Sequence, residues 1–447
     1  MLEENMKPIF RLLAVFLALT FVLAACSPAA PQQPQQTQPP EAPKPAQPVT
    51  IRVLSMEQAG PTVEEMNQIV AEFNKGNPDV NVQIDYVSYD ALHDKIVTSM
   101  ASTPPAYDVF LVDDIWYAEF ADKGYLMDAT AKLTPAMKSG VFAAAWDITT
   151  VSGKTYGMPW LLDQKYFYYN EEILKKAGFT APPATWEELV EQSKAMKDQG
   201  LVEYPIVWSW GQYEAAICDW VTLLYGNGGS LVDAEGKPTF NDEKGVKTLE
   251  WMLKTIEDGI TNPASVSYVE EDVRNVFSQG KAAFATNWNY MFDLVNFQAD
   301  QSQVTGQVKM ALMPAFAGSG VKSASINGSM GFSVAATSAN ADAAWNYVVF
   351  LTSEDVQNRY SAHMLPIWQT SFEGAAGEKL AAMSEVTAVT VPMFGEQFPF
   401  AHVRPKVPFY PEASKTLQLA LQEALTKQKT PQQALDDAAA KWLDLMK

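Results

Sequence analysis

Apolar and polar residues alternate over Val49-Thr-Ile-Arg-Val-Leu54, a β-branched run with the period of a half-buried strand. Thr62 and Glu65 have the spacing of a capping box. Met66, Ile69, Val70 and Phe73 then fall on one helical face, which Gly76 and Pro78 end. Residues 80–87 read as a second strand, and Asp90 as the cap of a helix carrying Leu92, Ile96 and Met100. Residues 107–112 are a nearly continuous apolar run, the pattern of a strand covered on both faces. Strand, helix, strand, helix, strand predicts a right-handed parallel α/β layer.

The alternation continues. Residues 165–169 predict a strand, and Asn170 caps a helix that Gly178 stops. Thr185 and Glu188 form another capping box before Leu189, Val190 and Met196. Strands are expected at 205–208, 282–286, 309–313 and 330–335. Helical stripes run through Val246, Leu249, Leu253 and Ile256, through Val273 to Phe277, and through Ala344, Tyr347, Val348 and Leu351. Thr430, Pro431 and Gln433 open a final helix with Leu435, Ala439 and Trp442. No repeat of 20–50 residues is present. A chain of 447 residues is too long for one core, so the reading is two α/β lobes.

The N-terminus adds a compartment. Lys7 and Arg11 precede an apolar run from Leu12 to Ala25, the length of a secretory h-region and too short to span a bilayer. Leu23-Ala24-Ala25-Cys26 resembles a bacterial lipobox, which implies removal of residues 1–25 and lipidation of Cys26. Met6 is an alternative start, since Glu3 and Glu4 are unusual in an n-region. Residues 27–48 are almost all Pro, Gln and Ala, a composition that favours extended chain and reads as a tether. The body is therefore expected outside the cytoplasm, anchored to a membrane by lipid.

Charge and motifs exclude much of the rest. Acidic residues outnumber basic ones 52 to 32, a formal charge of −20, which disfavours nucleic acid as a partner. Processing leaves Cys218 as the only cysteine besides the anchor; it reads as a small buried group. Three histidines do not suggest a metal site, and no cofactor is expected. Phosphate-loop, dinucleotide, nucleophile-elbow and zinc-protease motifs are missing, and a lone Ser319-x-x-Lys322 is expected by chance.

Six segments in order carry a family resemblance: Phe73-Asn-Lys-Gly-Asn-Pro78; residues 107–114 with 118–126; Gly153-Lys-Thr-Tyr-Gly-Met-Pro159 with 168–170; Thr185-Trp-Glu-Glu-Leu189; residues 277–284 before Trp288; and residues 430–435. Together the chain resembles the solute-binding proteins of bacterial ABC importers, in the carbohydrate group that includes maltose- and trehalose-binding proteins. The resemblance implies a two-lobe periplasmic-binding-protein-like α/β fold, one lobe holding 49–157 and 327–362, the other 158–326 and 367–447. It also implies a monomer that closes by a hinge on a sugar, a di- or oligosaccharide, and then docks on a permease, without turnover. The alternatives are a receptor for a peptide or polyamine, or a secreted glycoside hydrolase using a carboxylate pair such as Asp114 and Asp163.

Ligands of open α/β sheets sit outside the carboxyl ends of strands. On that ground Glu57 and Gln58, then Asp113, Asp114 and Trp116, then Trp160 and Asp163 are site candidates. Carboxylates and amides suit sugar hydroxyls, and aromatic rings suit C–H faces. Trp208, Trp210, Trp288 and Trp368, with Asn289 beside Trp288, lie at strand ends or in loops and join the list. The resemblance places cleft aromatics at Trp160 and Trp288, a ligand contact at Asp114, and a sugar-reaching arginine at Arg404. Gly328 and Ser329 lie in a small-residue turn that the resemblance places against ligand. Ser329 stands where relatives carry an aromatic, and Leu161 where they carry a polar aromatic.

Overall fold

A computed structural model describes residues 48–57 and 59–447. The expected signal peptide, lipidated Cys26 and tether, and the Gln58 candidate, lie outside the described residues. Among the described residues, no helix is long and apolar enough to cross a membrane.

The first sheet has five strands. Val49–Met56 lies between Val80–Val87 and Val109–Asp113, parallel to both, as the first repeat of alternation predicts. Met330–Val334 then pairs antiparallel with Val109–Asp113, and Met158–Leu161 adds at the edge. Every residue of Val109–Asp113 and of Met330–Val334 is buried, so both read as continuous apolar or small-residue runs. The helix Val63–Gly76 opens on the Thr62–Glu65 capping box and buries Met66, Ile69 and Phe73. The next helix, Tyr89–Met100, starts one residue earlier than expected. Ser88 is its cap residue, and Asp90 lies in its first turn, where a carboxylate favours the helix dipole without capping it.

The second sheet has four strands in the order Val308–Ala311, Tyr166–Asn170, Phe284–Asn287, Ile206–Val207. Asn170 caps Glu171–Lys176 through its side chain. Thr185 caps Trp186–Asp198, but Glu188 reaches back to the Ala184 amide instead of closing the box. The helices Glu214–Gly226 and Glu243–Glu257 pack with the C-terminal pair Tyr410–Leu425 and Pro431–Leu445. The last of these opens on a full Thr430–Gln433 capping box.

The strand Met158–Leu161 belongs to the first sheet, and the chain passes to the second only at residues 162–165. Three segments lie side by side at this join. Lys165 N donates to Ile326 O at 3.2 Å, Ser325 Oγ donates to Lys165 O at 2.6 Å, and Asn327 N donates to His402 O at 2.8 Å. Residues 325–326 and 401–402 pair as short parallel strands.

Candidate functional site

A cavity of about 530 Å³ lies between the two sheets. From the first lobe come Met56 and Glu57, Tyr86 to Asp90, Asp113, Leu161 and Met330. These stand at the ends of parallel strands, or beside them on the antiparallel pair, at one edge of the sheet. From the second lobe come Tyr213, Glu214 and Cys218 around the start of one helix, Glu270 and Glu271 at the start of another, and Trp288 and Tyr290 after the strand Phe284–Asn287. Placing Glu214, Glu270 and Glu271 in the first turns of helices lowers the cost of holding their charges there.

Arg404 reaches the floor from the 401–404 segment and is 3% exposed. Its Nη2 pairs with Asp114 Oδ1 at 2.6 Å and Asp113 Oδ1 at 3.4 Å, and its Nη1 pairs with Glu214 Oε1 at 2.9 Å. Glu214 also accepts from the Tyr410 hydroxyl at 3.0 Å and from Ser414. Asp113 accepts from the Tyr89 hydroxyl at 3.0 Å and from Ile115 N at 3.2 Å. Burial drives the Asp113 carboxyl well above its usual range. Arg404 opposes this, and the neighbouring Asp114 carboxylate adds to it.

Asp163 stands at the join. Its Oδ1 accepts from Gln164 N at 2.8 Å and Asn289 N at 3.3 Å, and its main chain bonds Ser329 Oγ and Gly328 N. Burial lifts its carboxyl to about 7 despite those two amide bonds. Trp288 lies beside it. The ring donates Nε1–H to Glu270 Oε1 at 3.1 Å, and Lys165 Nζ lies 5.5 Å from the ring centroid. Lys165 is fully buried and pairs with Asp219 Oδ1 at 2.6 Å. Burial opposes that cation, but Asp219 and Glu270 outweigh it and keep it protonated.

Of the sequence candidates, Glu57, Asp113, Asp163, Trp288, Gly328 and Arg404 line the cavity. The others fall elsewhere. Asp114 lies behind the wall as the partner of Arg404, so it does not face Asp163 across the cavity as a hydrolase pair would. Trp116 is buried against Tyr89 and His93. Trp160 is 1% exposed, packs edge-on to Phe332 and donates Nε1–H to Ala59 O at 2.6 Å, so it braces the loop after the first strand. Trp208 and Trp210 stack on each other at 5.0 Å in the core of the second lobe. Trp368 packs on Gly140 and bonds Thr352 O. Ser329 is fully buried and orients the Asp163 amide. Asn289 is 2% exposed and meets Asp163 through its backbone.

Sequence reasoning missed Tyr86, Tyr89, Asp90, Tyr213, Glu214, Glu270, Glu271 and Tyr290. The strand-end rule that selected Glu57 would have found Tyr86 and Tyr89. The acids at helix starts carry no such mark, since acidic first turns are ordinary. Cys218 is a free, buried thiol as expected, but it also touches the cavity. Among the described residues, no group of three or more His, Cys, Asp or Glu is arranged to hold a metal ion.

Two α/β lobes enclosing a polar and aromatic cavity define a two-lobed binding protein. Residues 59–358 match the family model for bacterial extracellular solute-binding proteins, and the chain belongs to that family. The family's role is to bind a solute outside the cytoplasm and present it to an ABC transporter permease. The chain is 32% identical over 342 residues to a probable ABC transporter-binding protein of Deinococcus radiodurans, covering 73% of this chain and 77% of that one. Its fold is similar to maltose-bound T. maritima MalE3, with TM-score 0.81 and 30% identity over 89% of this chain and all of that one. It is also similar to a Thermotoga lettingae solute-binding protein bound to α-D-tagatose, with TM-score 0.79 and 25% identity over 89% of this chain and all of that one.

Proposed function

We propose that this protein is a lipid-anchored, monomeric receptor that captures a di- or oligosaccharide in the cavity, closes on it, and delivers it to a permease without chemical turnover. The observation that carries this reading is the lining itself. Carboxylates and tyrosine hydroxyls offer hydrogen-bond partners in both senses, and Trp288 with four tyrosines offers flat apolar faces. A cavity of about 530 Å³ suits a ligand of more than one ring. The maltose and tagatose of the two structural relatives support the same ligand class.

The first lobe in this reading is 49–157 with 327–362, and the second is 158–326 with 367–447. The pairing of Met158–Leu161 with Met330–Val334 supports counting that strand with the first lobe in this reading. Trp368 bridges to Val141, which supports counting the residues around 368 with the first lobe instead of the second. Because both lobes supply the wall, a ligand makes all its contacts only in the closed state, and binding shifts the population toward it. Cys26, after signal-peptide removal, would carry the lipid, with residues 27–48 as tether to the outer side of the membrane.

A thermal-shift screen against mono-, di- and oligosaccharides tests the reading, since a ligand that binds the native state raises Tm by mass action. At least one saccharide is expected to raise it. Shifts with peptides alone, or release of monosaccharide from an oligosaccharide, would overturn it.

A further inference from the structure

Charge is unevenly spread over the cavity wall. Among the described residues, Arg404 is the one basic side chain that lines it. Its two terminal nitrogens already hold Asp113, Asp114 and Glu214. Glu271 is taken by Arg274 at 2.8 Å and by the Tyr290 hydroxyl at 2.6 Å. Lys165 lies 5.5 Å from the Trp288 ring centroid and is committed to Asp219. That leaves Glu57, Asp90, Asp163 and Glu270 on the wall with no basic side chain at ion-pair distance among the described residues, although the buried charge of Lys165 still acts on Glu270.

Two of these meet at one turn. Glu270 accepts the Trp288 Nε1–H at 3.1 Å, and Asp163 accepts the Asn289 amide at 3.3 Å, so both are fastened to the 288–289 turn. Asp163 Oδ2 and Glu270 Oε2 make no hydrogen bond among the described residues. A ligand that fills the cavity strips water from both carboxylates. A sugar hydroxyl returns a hydrogen bond but no charge, and an unpaired buried carboxylate remains costly. A protonated amine returns both, and it is also attracted to the indole face.

Resting on the saccharide reading, we propose that the solute is a saccharide bearing at least one protonated amine, with its ammonium held beside Trp288 by Glu270 and Asp163. Neutral rings of the same ligand would lie against Tyr86, Tyr89 and Tyr213, toward Arg404. The surplus of negative charge over the rest of the cavity then draws the cation in, an effect that weakens with salt.

Isothermal titration of the protein with matched pairs tests this: D-glucosamine against D-glucose, D-galactosamine against D-galactose, and β-1,4-linked glucosamine dimers and trimers against the corresponding glucose oligomers. The amino member of at least one pair should bind at least about tenfold tighter than its neutral partner. That ratio should shrink in Glu270→Gln and in Asp163→Asn, with neutral-sugar binding less affected, and at raised salt with the unaltered protein. Neutral members binding as well as amino ones, or a preference below tenfold, would overturn the ammonium subsite and leave the saccharide reading standing. Binding of a ring-free amine such as spermidine with no saccharide bound would overturn both, as would no binding by any member of the panel together with a flat saccharide thermal-shift screen.

Discussion

Gly328 lies close against the six-membered ring of Trp288: a Cβ at position 328 would stand 2.4 Å from Cη2 and 2.5 Å from Cζ3. That is closer than any real contact, so one methyl group must displace an aromatic wall of the cavity. Gly328→Ala is therefore expected to lower affinity for the captured solute by about tenfold or more, with Tm nearly unchanged. Titration and thermal melts of the same preparation check it. Undiminished affinity would mean that Trp288 does not contact the ligand.

The two tryptophans assigned to the cleft by resemblance should separate. Trp160 packs on Phe332 and braces Ala59, so Trp160→Ala leaves a core void and should cost roughly 3–5 kcal/mol of stability. Trp288→Ala removes a half-buried ring from the wall and should act chiefly on binding. Chemical denaturation beside ligand titration of both variants distinguishes the two roles.

The Lys165–Asp219 pair predicts an asymmetry between one substitution and two. Asp219 accepts from Lys165, from Ser209 Oγ at 2.8 Å and from Thr286 Oγ1 at 2.9 Å, all buried. Lys165→Met strands that carboxylate and should cost roughly 3–5 kcal/mol. Adding Asp219→Leu should recover a large part of the loss, as urea denaturation would read. Equal loss in the double variant would place the stabilisation in the pair's own attraction.

Asp163 gives the ligand-free protein a pH dependence. Its carboxyl sits near 7 in the fold and near 4 when unfolded. A raised folded value means the native form binds the proton more tightly. The stability this contributes is full below about pH 4 and is lost as pH rises to about 7. Asp163→Asn should flatten Tm over that window relative to the unaltered protein. An unchanged profile would show that other groups dominate it.

Much of the scaffold was legible because its signals are local. The capping boxes at Thr62 and Thr430 and the runs at 49–54 and 107–112 each need only a few neighbours to read. The cavity was less so. Every residue of Met158–Leu161 is buried, and a strand covered on both faces has no alternation to say whether Trp160 meets solvent, ligand or core. Trp208 and Trp210 are two apart in an extended segment, so they point the same way, and here that way is inward. Glu214 meets Arg404 across 190 positions, a contact that no spacing rule reaches.

Arg404 also bears on how the molecule moves. It grips Asp113 and Asp114 at the end of a first-lobe strand and Glu214 at the start of a second-lobe helix, from a segment that runs through the join. The floor of the cleft is thus tied by one side chain to both jaws. In the hinge-closing reading proposed above, a rotation about this tie would carry the rim further than the floor, and the rim is what a permease would meet.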